Sequence, residues 1–428
     1  MKISTSTILL FAISVGLLFP SGLGIDAGII LNSSKLSLVL ILSLGLILNL
    51  TGNRACFPLF YVDWLILWFI IWLFIGTLLS GLINTGSFIG TFKYVILMLT
   101  WVLAYFPFYF IGRFIREKKN VQAILKGLSF ILFVCALIGI IESIFQTNFY
   151  GVVGNQLGLN MVGSGSELYR GSLYRARSSL DQPIAFGFAM TAGYVLTDYL
   201  VKTQRLTCGN IFKFVFIVTT FLSGSRSSIV AALFCLGVIN YHRFGRAAKW
   251  LLILGFVIAL YWVGSHLDSI FYVDESLLAG EDTAVGQSGN LIGRFQDIEF
   301  IQHVMEITPF FGLGLGILHD DSAFSLYYPS LSLYYDKALD NMILAILVES
   351  GILGLLMAII CFLAIVIYCY RLRECPEKQF LALLLFLFFA ASLSYDLLVF
   401  PGAGRLLLLL IALVISSLQL SRKNASNY

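Results

Sequence analysis

Charge is what this 428-residue chain has least of: Asp, Glu, Lys and Arg make up 12% of it, about half the share of a soluble domain. Proline is scarce, with 8 residues, and histidine scarcer, with 4. The cysteines are Cys56, Cys135, Cys208, Cys235, Cys361, Cys369 and Cys375, with no CxxC pair and no Cys/His cluster. These shortages exclude a disordered chain, a disulfide scaffold, a zinc-stapled domain and a soluble nucleic-acid binder. They leave no expectation of a metal or cofactor.

What fills the space is apolar. Hydrophobic residues reach 59%, Phe alone contributes 37, and the mean hydropathy is +0.92. Apolar helical spans of roughly 17–25 residues cross a bilayer. Candidates lie at 6–24, 36–51, 62–84, 92–112, 124–145, 183–201, 207–222, 227–241, 250–264, 341–370, 379–399 and 404–420. The expected fold is therefore an all-α polytopic membrane protein of about twelve helices, a single membrane domain over 1–428. The first apolar run lacks an A-x-A cleavage site and is followed by another span, so a retained first helix is expected.

Basic residues set the expected orientation. With the amino terminus inside, 18 of the 27 Lys and Arg fall on the cytoplasmic side and 18 of the 23 Asp and Glu on the other. That is the positive-inside bias of a cytoplasmic (inner) membrane protein with both termini inside. Two long loops then face outward, 146–183 and 265–340. The second is acidic and carries an amphipathic helix from Gly293 to Glu306, stopped by Pro309 and the Gly312, Gly314, Gly316 alternation. Loops of this length in compact proteins usually have a task.

Outward arginines stand out because topology selects against them. Arg226 lies in Leu222-Ser-Gly-Ser-Arg-Ser-Ser228, between two spans too short to reach across the ~30 Å core, so the turn is expected below the surface. It binds a partner there, or it snorkels or pairs within the protein. Arg294 opens the amphipathic helix among acids and binds an anion, or pairs with Asp297 or Glu299. Of Arg170, Arg175 and Arg177, the last is nearest the next helix and is the preferred ligand. Guanidinium forks grip phosphate bidentately, so convergence of several suggests a diphosphate. Asp336 and Asp340, at the foot of the last long helix, are candidate bases toward a sugar hydroxyl. Glu349 is an acid inside that helix. Asp396 and Arg405 flank Pro401-Gly-Ala-Gly404, read as a turn, and are expected to pair or to support a site. His319-Asp320-Asp321 has too few convergent ligands for a metal. Gly312-Leu-Gly-Leu-Gly316 follows no strand and reads as alternating glycine at a helix end or as a close helix contact, rather than a nucleotide loop.

Three segments carry a family resemblance: Phe221-Leu-Ser-Gly-Ser-Arg-Ser-Ser-Ile229; Gly293-Arg294 with Ile307-Thr-Pro-Phe-Phe-Gly-Leu-Gly-Leu-Gly316; and Asp340-Asn-Met-Ile-Leu-Ala-Ile-Leu-Val-Glu-Ser-Gly-Ile-Leu-Gly354. In this order they resemble the O-antigen polymerase and O-antigen ligase superfamily over about residues 180–370. The resemblance implies a GT-C-type, inverting membrane glycosyltransferase acting outside on an undecaprenyl-diphosphate-linked glycan. Arg226 and Arg294 would hold the diphosphate, Asn341 would support the site, and a chain-length regulator is a candidate partner. Ligase members resemble one another in a His-Asn pair where this chain has Asp340-Asn341, which favours a polymerase. A ligase, and further off a transporter or flippase, remain the alternatives.

Overall fold

The computed structural model describes residues 5–18, 23–26, 30–32, 39, 61–86, 88–115, 117–156, 160–161, 169–170, 173–180, 182–241, 299–333, 339, 341–395 and 401–425. The expected spans at 36–51 (save residue 39) and 250–264 lie outside these residues. So do the start of the long loop and Arg294, Asp336, Asp340 and Asp396.

Helices dominate: α1 Thr5–Leu18, α2 Tyr61–Thr85, α3 Phe88–Phe114, α4 Lys118–Phe145, α5 Phe149–Gln156, α6 Pro183–Lys202, α7 Gly209–Leu222, α8 Arg226–Asn240, α9 Asp321–Tyr327, α10 Met342–Tyr370, α11 Pro376–Ser394 and α12 Pro401–Ala425. Residues 299–307 form a further loop helix, the described part of the expected amphipathic one. Among the described residues, 7 helices are long and apolar enough to cross a membrane. Their outer faces expose Trp68, Ile71, Phe74, Ile96, Ile359 and Ile360. An apolar surface that wide is suited to lipid rather than water. The chain is a multi-pass membrane protein.

Three boundaries differ from expectation. The first helix ends at Leu18, ahead of Pro20, which disfavours helix in the residue before it. Residues 23–26 instead form β1, paired antiparallel with β2 (Ile30–Asn32) and with β3 (Asn160–Met161) of the first long loop. A hairpin of β4 (Tyr169–Arg170) and β5 (Leu173–Tyr174) follows. The Pro401–Gly404 stretch is the first turn of α12 rather than a turn between helices; proline suits the first helical position, where its missing N–H would be unpaired anyway. α11 ends at Ser394, short of the expected 399.

α6 and α12 are the central helices, with 89% and 83% of their spans buried, against about a third for α2 and α10. α6 reaches this position through small residues. A Cβ on Gly193 would lie 2.9 Å from the Phe216 ring of α7, and one on Gly187 would strike Ser223 and Ser228. α12 lies along α3, where Gly112 faces Ala412. Close backbone approach of this kind is how apolar helices associate where lipid is as apolar as they are.

The bundle has two distinct ends. At one, polar side chains interlock: Arg113 grips Asp63 through Nε and Nη2 at 2.9 and 2.8 Å and reaches Ser416 and Gln419, Lys118 meets Ser421, and Lys202 and Lys213 both meet Asp198. At the other, where both long loops attach, many of the contacts involve loop backbone, as where Leu313 and Gly314 N–H meet the Val348 and Glu349 carbonyls.

Candidate functional site

The turn between α7 and α8 follows from its sequence. Ser223 closes α7 and Gly224 takes φ +60°, the left-handed conformation that ends a helix and that glycine adopts freely. Ser225 then caps α8 by accepting the Ser228 N–H. Ser223, Ser225 and Ser228 are buried, their hydroxyls spent within the turn. Arg226 is left at the first position of α8, exposed, with no hydrogen bond or ion pair among the described residues. Cations are unfavourable at a helix N-terminus, whose free N–H groups carry partial positive charge. The arginine and the helix end together attract an anion.

A strap from the first long loop lies on this turn. Ala176 N–H donates to Leu222 C=O at 3.1 Å, and Arg175 Nε–H donates to Ser223 C=O at 3.3 Å. The structure thus brings Arg175 to the Ser-Gly-Ser-Arg turn. Arg177, preferred from the sequence, is buried, and its backbone N–H donates to Glu142 at 3.1 Å.

The second element is a re-entrant loop. α10 is broken at Gly351 (φ 70°, ψ −176°), nine residues beyond its Met342 start. The break frees backbone groups that Pro309–Gly316 takes up: Leu313 N–H donates to Val348 C=O at 2.8 Å, Gly314 N–H to Glu349 C=O at 2.9 Å, and Ile352 N–H to Pro309 C=O at 2.9 Å. α2 supplies the rest. Ser80 Oγ donates to Gly312 C=O at 2.8 Å, and Thr77 Oγ accepts Leu315 N–H at 3.2 Å. Irregular backbone inside an apolar bundle persists only where protein satisfies it. Gly312, Gly314 and Gly316 all have positive φ, and their Cα atoms face the broken helix, the Tyr94 ring and the Trp101 ring. The close-contact reading of this alternation describes the geometry, with the left-handed backbone as a second reason for glycine.

Glu349 is fully buried, and its Oε1 accepts the Gly316 N–H at 3.0 Å. Asn341 is the N-cap of α10, accepting from Ile343 and Leu344 N–H. Arg405 is buried against α3, with Nε–H on Ala104 C=O at 2.8 Å and its guanidinium over the Tyr105 and Phe108 rings. Past the loop, Asp320 caps α9 and meets Lys93 at 3.5 Å. Partial burial alone would raise its carboxyl pKa. Bonds from Ser322 and Ala323 and the Lys93 charge outweigh that and hold it below the usual carboxylate value.

Beneath the loop lies an apolar cavity of about 160 Å³, lined among others by Leu315, Met342, Trp101, Phe362, Leu385 and Gly404. Its wall thus includes the loop and the starts of α10 and α12. The first turn of α12 also meets the strap, since a Cβ on Gly402 would lie 2.5 Å from Leu180.

Residues 211–359, from α7 to beyond the α10 break, match the model of the O-antigen ligase family. The match covers about a third of the chain and marks a similarity to that family. No curated protein sequence matches the chain. The matched segment holds both the serine-arginine turn and the re-entrant loop, and members of that family are membrane glycosyltransferase-like enzymes. Glu142 and the two hydroxyls of α2 that hold the loop, Thr77 and Ser80, lie before it in sequence. Sequence reasoning passed over all three, although Glu142 is an acid near the end of an apolar span, which is costly enough to be a signal.

Proposed function

We propose that this protein polymerises undecaprenyl-diphosphate-linked oligosaccharide repeats of a surface polysaccharide, at the outer face of the cytoplasmic membrane. The observation that carries the reading is Arg226, exposed at the start of α8 inside the matched segment, with Arg175 bonded to the same turn from outside it. Two guanidinium groups beside a helix N-terminus suit a diphosphate leaving group. The apolar cavity suits a prenyl segment of the donor, and the charge split between the two sides supports the orientation.

In this reading a hydroxyl of the incoming repeat attacks the anomeric carbon of the growing chain from the face opposite the diphosphate. The C–O bond to diphosphate breaks with inversion. Charge builds on the departing undecaprenyl diphosphate, and Arg226, Arg175 and Arg294 neutralise it electrostatically. Asp340 or Asp336 takes the hydroxyl proton, with Asn341 fixing the helix start beside Asp340. Glu349 serves by anchoring the re-entrant loop, since its carboxylate is buried on Gly316. Arg177 is assigned to the strap rather than to the diphosphate. A chain-length regulator would meet the protein at the same face.

The family description favours a second reading, transfer of finished glycan to a lipid core. The Asp340-Asn341 pair, in place of the His-Asn of ligases, favours the first. Purified protein given only the lipid-diphosphate repeat distinguishes them. A polymerase yields a ladder of lengths, whereas a ligase yields product only when the lipid core acceptor is added. Absence of a ladder, with transfer to the core, overturns the polymerase reading.

A further inference from the structure

Glu142 has no part in the chemistry just proposed, yet it is fully buried one turn from the end of α4. A carboxylate inside an apolar bundle is retained only with partners. Its partners here are backbone N–H groups of the segments that follow. Oε1 accepts from Phe149 at 3.2 Å, and Oε2 accepts from Arg177 at 3.1 Å and Ser178 at 2.7 Å. The Arg177 charge acts on the same carboxylate.

Two successive N–H groups can converge on one oxygen only if the backbone curls between them. Ser178, the second of the two, has φ +49°, a left-handed conformation in a residue that is not glycine. Such a conformation persists when its surroundings hold it, and it concentrates at functional sites. The strap is therefore clamped from both sides. Glu142 holds residues 177–178, while Leu222 and Ser223 hold Ala176 and Arg175. The two sides meet on adjacent residues, Ala176 and Arg177. Displacing Glu142 therefore displaces Arg175.

We propose that Glu142 is a positioning residue: it locks the strap so that Arg175 is presented beside Arg226 to the diphosphate of the donor. This rests on the transfer reading above. It explains why an acid stands where an amide would fill the same volume, since a carboxylate accepts all three N–H bonds and an amide offers one acceptor oxygen.

The test uses the full-length protein in lipid vesicles with the lipid-diphosphate repeat as substrate. Glu142→Gln should insert normally, lower kcat about tenfold or more and raise the donor KM. Glu142→Asp, which keeps the charge and both oxygens, should restore part of the loss. Adding Arg175→Ala to Glu142→Gln should cost little more, because residues acting through one another are not additive. A second readout is independent of turnover: Ser178→Cys, shielded in the native strap, should react faster with a charged maleimide when Glu142→Gln is added. Wild-type activity and unchanged labelling in Glu142→Gln would overturn the proposal, as would losses that multiply. If instead Arg226→Ala and Arg175→Ala are fully active while labelling responds to Glu142→Gln, the diphosphate reading fails and the clamp is structural only.

Discussion

Gly312 and Gly351 sit face to face. A Cβ on Gly312 would lie 2.5 Å from the Glu349 carbonyl carbon, and one on Gly351 would lie 2.3 Å from the Phe310 carbonyl. Both residues have positive φ, so the break in α10 and the re-entrant loop are one device. Each supplies hydrogen-bond partners that the other lacks.

Replacing either glycine should therefore damage the loop. Gly351→Ala combines a left-handed backbone with a clash against backbone, which cannot move aside as a side-chain end can. A loss of about 2–4 kcal/mol is expected, read as a lowered Tm in detergent and a parallel loss of activity. A Tm equal to wild type would mean that α10 can straighten.

Arg226→Lys should lower kcat about ten- to a hundredfold, and Arg226→Ala at least as much, with normal membrane insertion. A point charge does not reproduce the two-pronged contact of a guanidinium, and one charge-assisted bond contributes roughly 1.5–3 kcal/mol. Glycan chain length in a deletion strain, complemented at matched protein level, reports it. A normal ladder from both variants would sink the diphosphate clamp.

At the opposite end, Asp63→Ala should destabilise the bundle by about 3–5 kcal/mol, because it strands Arg113, 6% exposed, without its carboxylate. Asp63→Ala combined with Arg113→Met should recover much of that, since no uncompensated charge remains. Thermal unfolding of the two variants decides it: equal losses would mean that the pair itself, rather than the stranded charge, carries the energy.

The Asp320 cap gives a pH dependence of known sign. Its folded-state pKa lies below the ordinary 3.8, so its contribution is complete above that value and is lost as pH falls through the folded pKa. The Tm difference between wild type and Asp320→Asn should be constant from pH 7 to 5 and shrink below about pH 4. A difference that grows on acidification would reverse the assignment.

The expected spans that fall on described residues correspond to helices because hydrophobic length is written in consecutive residues. The re-entrant loop was half legible: the Pro309 stop and the glycine alternation announced a close contact, but its partner, Gly351, is 35 positions beyond Gly316. The choice between Arg175 and Arg177 was not legible. Nearness in sequence to α6 pointed to Arg177, whereas Arg177 gives its backbone N–H to Glu142 and Arg175 bonds the Ser223 carbonyl.

The sequence by itself determined that this chain is a helical membrane protein, because burial in lipid acts on composition run by run. It also determined the Ser-Gly-Ser-Arg turn, whose glycine and serine end one helix and start the next through bonds within six residues. Tertiary structure alone decided which arginine meets the Ser223 carbonyl, what Glu142 and Glu349 hold, and where the apolar cavity lies. Those outcomes depend on backbone N–H and C=O groups seeking partners across the bundle. Every residue but proline carries the same pair of groups, so their pairing leaves no mark on the sequence.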